Sequence, residues 1–220
     1  MLAAEVAQLA REDAAAVAGL LRGHRYVAAV EEGRLSRSEL GRFAGEQWHI
    51  ISSDLRSVAH LVARCGEGRA AGFLLDVLAG ERAALDALSA LGRALALSEA
   101  DLRRYEPLPG AHAYTCYMAW LALYGSPGQV AAAYLVNFPA WGENCGRLSV
   151  ALQARYGLQP ADVAFFDLFA TPAPGFEAAA LEVIQADLDA GAEPTLIRRC
   201  VRLLQAYELM YWDTLYEASA

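Results

Sequence analysis

The closing segment PTLIRRCVRLLQAYELMYWDTLYE (residues 194–217) decides how the chain is built. Pro194-Thr195 opens it in the way proline starts a helix, at the first position, where no backbone donor is needed. At 100° per residue, Ile197, Val201, Leu204, Tyr211, Trp212 and Leu215 all fall within about 60° of Glu208. Arg199, Arg202 and Asp213 take the opposite side. The segment is therefore one amphipathic helix, and Glu208 sits in the middle of its buried stripe. A glutamate so placed is either a structural carboxylate paired with a tyrosine or backbone group, or a working one. Apolar surroundings raise the pKa of a carboxyl group, which then exchanges protons near neutral pH.

The same periodicity runs through the rest of the chain. Ser36 with Glu39 forms a capping box before a helix reaching about Cys65. Further helices are expected over about Gly72 to Leu95, over the short SEADLRRYE, and over AHAYTCYMAWLALYG after Pro109-Gly110. Ser126-Pro127 pairs an N-cap with proline at the first helical position. Others begin near Pro160 and Gly175. No strand alternation, internal repeat or linker interrupts them, so the expectation is one all-α helical domain over residues 1–220.

Composition narrows the partners. The 220 residues are 56% hydrophobic and 20% charged, enough for a substantial core. All basic side chains apart from histidine are arginine, and the net charge of −8 disfavours nucleic acid. Glu5, Arg11, Glu12 and Asp13 break any apolar leader, giving a cytoplasmic expectation. Cysteines at 65, 116, 145 and 200 have no CxxC spacing, so neither zinc nor a disulfide framework is indicated. Between Leu108 and Gly142 only His112 carries a titratable basic or acidic group. GSPGQ (125–129) cuts that stretch into pieces shorter than the roughly 20 residues of a membrane span. They read as two buried helices packed back to back.

Misplaced polar residues recur on other helices. Gln47 and Asp54 share a stripe with Leu40, Phe43, Ile50, Ile51, Val58 and Leu61. Asn137 lies with Val130, Tyr134, Ala140, Trp141, Asn144 and Leu148, and Tyr114 with Met118 and Leu121. Each alone suits a satisfied core polar group; together they suit a ligand site between facing helices. Pro139 adds a fault, because proline inside a helix removes a donor and frees the Leu135 carbonyl. The bend either shapes a pocket or fits neighbouring helices. A carboxylate-bridged metal site needs inward histidines at helical spacing. His24, His49, His60 and His112 do not supply them, and His49 falls about 160° from Gln47, facing outward. No metal and no cofactor is expected.

Three segments resemble the TenA/thiaminase II family: YELMYWDTLYE (207–217), AYTCYMAWLALYGSPGQVAAAYL (113–135) and HRYVAAVEEGRLSRSELGRFAGEQW (24–48). The resemblance is collinear over nearly the whole chain. It implies a haem-oxygenase-like helical bundle with a central pocket for a thiamin-derived pyrimidine, assembled as a homo-oligomer, dimer or tetramer. By position, the family's catalytic glutamate falls on Glu208 and a pocket tyrosine on Tyr114. Gln47, Asn137, Trp141, Phe165, Tyr211 and Trp212 fall on substrate-binding positions. Three of them depart from the family pattern, Phe165 lying near the place of another pocket tyrosine. Asn137 stands where the nucleophilic cysteine belongs, and Gln47 replaces the aspartate that anchors the pyrimidine; Ile50 also replaces a tyrosine. A thiolate adds to a ring carbon and leaves again, which a carboxamide cannot do. Cys145 is eight residues further on, about 12 Å along the axis.

These residues imply a cysteine-independent C–N hydrolase acting on a small heteroaromatic molecule, with Glu208 as general acid/base. A binding protein that has lost the chemistry is the alternative from another class. A cofactor-free oxidase of the PqqC-like branch would need basic and histidine groups on the inward faces. Transcriptional regulation lacks a basic recognition helix, and haem degradation would rest on His24 alone.

Overall fold

The computed structural model describes residues 1–219, and it is helical from end to end, with no strand among them. Ten α-helices follow in order: α1 (Ala3–Arg22), α2 (Arg25–Glu31), α3 (Arg37–Cys65), α4 (Gly68–Ala94), α5 (Glu99–Arg104), α6 (Pro109–Tyr124), α7 (Pro127–Tyr156), α8 (Ala164–Ala170), α9 (Phe176–Asp189) and α10 (Pro194–Ala218). The start expected near Pro160 is only one 3-10 turn, Pro160–Asp162, ahead of α8. Helix α4 begins at Gly68, one turn before the sequence suggested.

Local signals fix the ends of the long helices. Ser36 and Glu39 exchange both capping-box bonds, at 2.5 and 3.2 Å. Ser126 and Gln129 repeat the arrangement at 2.9 and 3.3 Å. Each box satisfies two amide donors that a helix start leaves orphaned. Gly157 ends α7 with a φ of 70°, which costs glycine nothing.

Helix α7 is the hub and packs against α1, α2, α8, α9 and α10. Gly142 permits the close approach of α8, since a Cβ there would lie 2.4 Å from the Phe169 carbonyl oxygen. The expected back-to-back packing of α6 and α7 is not found. Both pack on α10, and α6 also packs on α3. Helix α6 leaves Trp120, Leu123 and Tyr124 exposed, so its continuous apolar character has no single inward face behind it. None of the helices is long and apolar enough to cross a membrane.

The buried apolar side chains form two cores rather than one. One holds Tyr26, Phe43, Trp141, Phe165, Phe166, Tyr211 and Trp212. The other holds Val58, Leu61, Met118, Tyr134, Ile184 and Ile197. Buried Gln47, Asp54, Glu81, Asn137 and Glu208 gather at the seam where the two cores meet, because a fully buried charged or amide group needs polar neighbours rather than methyls. Pro139 also lies on this stretch of α7, inside a helix that continues past it. One residue after Leu135, the Val136 carbonyl accepts a 3.1 Å bond from Gln205 Nε2 of α10. Gln205 is wholly buried, and this bond ties α10 to the fault in α7.

Candidate functional site

The seam holds a partly open cavity of about 50 Å³. Five helices furnish most of its wall: α3 gives Gln47, Ile50, Ile51 and Asp54, α4 gives Glu81, and α6 gives Tyr114. Tyr134, Asn137, Phe138 and Trp141 come from α7, and Glu208 and Tyr211 from α10. Phe169 of α8 completes it. Phe138 and Phe169 are partly exposed, and their rings meet edge to face at 6.4 Å.

Glu208 is 2% exposed and held from two sides. Trp212 Nε1, one turn further along α10, donates to Oε1 at 3.1 Å. Asn137 Nδ2 donates to Oε2 from across the cavity. Burial raises the carboxyl pKa to about 7, although both hydrogen bonds pull it down. The indole can only donate, so Oε1 is fixed as an acceptor and the proton belongs on Oε2. The Asn137 amide serves both states: Nδ2 faces an ionised Oε2, and the amide turned over offers Oδ1 to a protonated one. Glu208 and Asn137 thus form a unit able to hold or release one proton at a single atom.

Gln47 Nε2 donates to the Tyr211 hydroxyl at 2.9 Å. The amide oxygen of Gln47 is left for a ligand. Tyr114 is half-buried on the wall, and desolvation, with the charges of Asp54, Glu208 and Glu81, keeps its phenol protonated. It is a donor at neutral pH.

Six of the eight residues singled out in the sequence line the cavity: Glu208, Tyr114, Gln47, Asn137, Trp141 and Tyr211. Phe165 and Trp212 do not. Phe165 is wholly buried one turn too early on α8, packed edge-on against Phe43, Phe166 and Phe169. Phe169 takes the position on the wall. Trp212 is also wholly buried, and it serves behind Glu208 rather than before a ligand. Asn144, placed by the wheel on Asn137's face, instead donates to the Leu21 carbonyl at the end of α1.

The histidines are accounted for elsewhere. His24 caps α2, accepting from the Tyr26 amide at Nδ1, while Nε2 lies 3.1 Å from Asp213. With both ring nitrogens engaged, it is a structural group. His49 is half-buried beside the Tyr105 ring at 6.3 Å, not turned fully outward, because α5 and the chain after it cover that side of α3. Cys145 is buried off the cavity wall, with its thiol pKa pushed up by burial and by Glu208.

Three wall residues, Glu81, Phe138 and Phe169, escaped the sequence reading. Glu81 falls within about 60° of Leu74, Val77, Ala84 and Leu88 at 100° per residue, so the wheel that found Glu208 would have found it too. Asp54 was visible on Gln47's stripe but had no role. It is 3% exposed, and its Oδ1 has no hydrogen-bond partner.

A sequence model of the TENA/THI-4/PQQC family matches residues 13–218. The chain belongs to that family. Solved structures agree on the fold. A TenA homolog from Pseudomonas syringae pv. tomato superposes with a TM-score of 0.80 at 15% identity, covering 96% of this chain and 92% of that one. A putative TenA-like thiaminase from Sulfolobus solfataricus gives 0.70 at 11% identity, with 96% of each chain covered. Heme oxygenase-1 from the cyanobacterium Synechocystis sp., in complex with heme, gives 0.68 at 14% identity, covering 96% and 91%. The comparison with curated proteins finds no match. At these identities the likenesses establish the haem-oxygenase-like architecture and leave the chemistry to the residues on the wall.

Proposed function

We propose that this family member is a cytoplasmic hydrolase that binds a small heteroaromatic molecule of the thiamin-pyrimidine type and cleaves a C–N bond without a cysteine. One observation carries the reading: Glu208, buried on a cavity wall, has a pKa near 7 and two fixed hydrogen-bond donors. Ionised Glu208 takes a proton from water as it attacks the carbon, and the protonated acid returns it to the departing nitrogen through Oε2. Tyr114 stands ready to donate to the oxygen or ring nitrogen that gains charge. The Gln47 carbonyl and Asn137 orient the ring, and Trp141 and Tyr211 flank it. Turnover of N-formyl pyrimidine amines to the free amine and formate tests this. Stoichiometric binding with no turnover would favour the non-catalytic binder.

No cysteine lies on the cavity wall, so thiamin itself should not be cleaved. Incubation with thiamin should release no thiazole. Asn137→Cys should not restore that activity, since Gln47 cannot supply the charge of the family's aspartate. It should weaken binding of the pyrimidine roughly tenfold to hundredfold, the effect of leaving a buried group unpaired by about 1–3 kcal/mol. Thiazole release by the native protein would mean that another nucleophile reaches the ring. Unchanged binding with a large drop in melting temperature would make Asn137 a structural partner of Glu208 only.

We also infer self-association into a dimer or tetramer. Trp120, Leu123 and Tyr124 of α6 and Leu203 and Met210 of α10 are exposed apolar side chains on two helices that pack together. Sedimentation velocity at micromolar concentration should give at least twice the mass of one chain, and Trp120→Glu with Leu123→Glu should halve it. A monomer at that concentration would remove the inference.

A further inference from the structure

The cavity wall carries three carboxylates, Asp54, Glu81 and Glu208, and no arginine or histidine. Glu208 is satisfied by its two donors. Asp54 is not: its Oδ1 is buried without a partner, and so is the hydroxyl of Tyr134 on the same wall. An unpaired buried acceptor costs about 1–3 kcal/mol, and more when charged. An arrangement of this kind is completed by a donor that arrives with the ligand.

We infer that the ligand of this cavity is a protonated amine, whose ammonium group sits between Asp54 and Glu81 with the Tyr134 hydroxyl beside it. Among the described residues no group of histidine, cysteine, aspartate and glutamate side chains is disposed to hold a metal ion. An ammonium has three donors, which match the unpaired Asp54 oxygen, Glu81 and the tyrosine. Phe138, Trp141 and Phe169 present aromatic rings to the same space, and such rings attract a cation once water is excluded. The position also sets a length. Asp54 lies seven residues beyond Gln47 on α3, about 10 Å along the axis, so a ring held at Gln47 and Asn137 is joined to the ammonium by a short chain.

Burial and the proximity of Glu81 hold the Asp54 carboxyl well above the ordinary range. Burial also raises Glu81. The empty pair therefore retains a proton at neutral pH, and an arriving cation expels it. Tyr114, Tyr134 and Glu208 are the other titratable groups facing it, from α6, α7 and α10.

The inference rests on this cavity being the ligand site, but on neither hydrolysis nor a pyrimidine ring. The test uses 4-phenylbutylamine and 2-phenylethylamine beside the corresponding alcohols, with affinities measured by titration calorimetry at pH 7. The longer amine should bind at least about tenfold more tightly than its alcohol, and it should outbind the shorter amine. Its heat should differ between phosphate and Tris buffers by the amount expected for proton release, whereas the alcohol's should not. Asp54→Asn with Glu81→Gln should abolish the preference for amine and the proton release together, while Glu208→Gln should retain both. Melting curves establish that each variant is folded; if the double variant is not, the two single variants replace it. Equal binding of amine and alcohol would overturn the inference, as would loss of the preference in Glu208→Gln but not in the Asp54 and Glu81 variants. Failure to turn over N-formyl pyrimidine amines would count against the hydrolase alone.

Discussion

Glu208→Gln should lower turnover by roughly 10²- to 10⁴-fold, the range for loss of a positioned acid/base, while making the folded protein more stable above neutral pH. The two effects have one origin. Burial raises the Glu208 pKa from 4.5 to about 7, so the folded state binds its proton more tightly than the unfolded chain does. Stability tied to this group is then present below pH 4.5 and falls as the pH rises toward 7. At about 1.4 kcal/mol per pH unit, the ionised carboxylate costs on the order of 3 kcal/mol at pH 8. A neutral amide keeps the bond from Trp212 and does not carry that cost. Chemical denaturation at pH 8 and single-turnover kinetics check the two halves. A glutamine variant that loses stability at pH 8 and keeps turnover would make Glu208 structural.

The ligand-free native protein should melt higher near pH 5 than at pH 8. Glu208, Asp54 and Glu81 all have raised carboxyl pKa values caused first by burial. All three therefore withdraw stability as the pH rises, Glu208 and Glu81 over the window from about 4.5 to about 7. Glu208 alone accounts for about 3 kcal/mol, or roughly 6–12 °C for a chain of this size. The acid limit comes from groups shifted the other way. Hydrogen bonds from Arg147 hold Glu31 low, and those from Ser36 hold Glu39 low. Their stabilisation is present above the usual carboxylate range and disappears as the pH falls below it. Scanning calorimetry from pH 4 to 9 should trace an asymmetric curve with its maximum on the acid side of neutrality. A flat curve, or a maximum above pH 7, would mean that these carboxylates are better solvated than their burial implies.

Much of this molecule was legible because helices write their buried face at a fixed period. Glu208, Gln47 and Asn137 stood out as polar side chains inside apolar stripes, and the capping boxes at Ser36 and Ser126 gave the helix starts. Tertiary relations were less legible. Every side of α6 is apolar, so its sequence could not say that it packs on α3 and α10 and leaves Trp120 exposed. Phe165 and Phe169 are one turn apart on the seven-residue α8 and point alike, and only the depth at which α8 meets α7 decides which one reaches the cavity. Trp212 and Tyr211 are neighbours on the same stripe, yet one supports the carboxylate and the other faces the ligand space. Periodicity gives direction from a helix axis and says nothing of distance.

The bond from Gln205 to the Val136 carbonyl governs more than one faulted turn. Gln205 precedes Glu208 by three residues on the same face of α10, and Val136 directly precedes Asn137. The strap therefore locks the angular setting of one helix against the other at the level of the carboxylate. Sliding or rotating α10 would have to break a wholly buried hydrogen bond. The Asn137–Glu208 pair is thus aimed before any ligand enters, and binding energy is not consumed in orienting it. Specificity can then drift through Gln47, Ile50, Asp54 and Glu81 on α3 and α4 while the proton-handling pair stays where it is. If the cavity acts as proposed, part of the choice of molecule would fall to α3 and α4, and the proton transfer to α7 and α10.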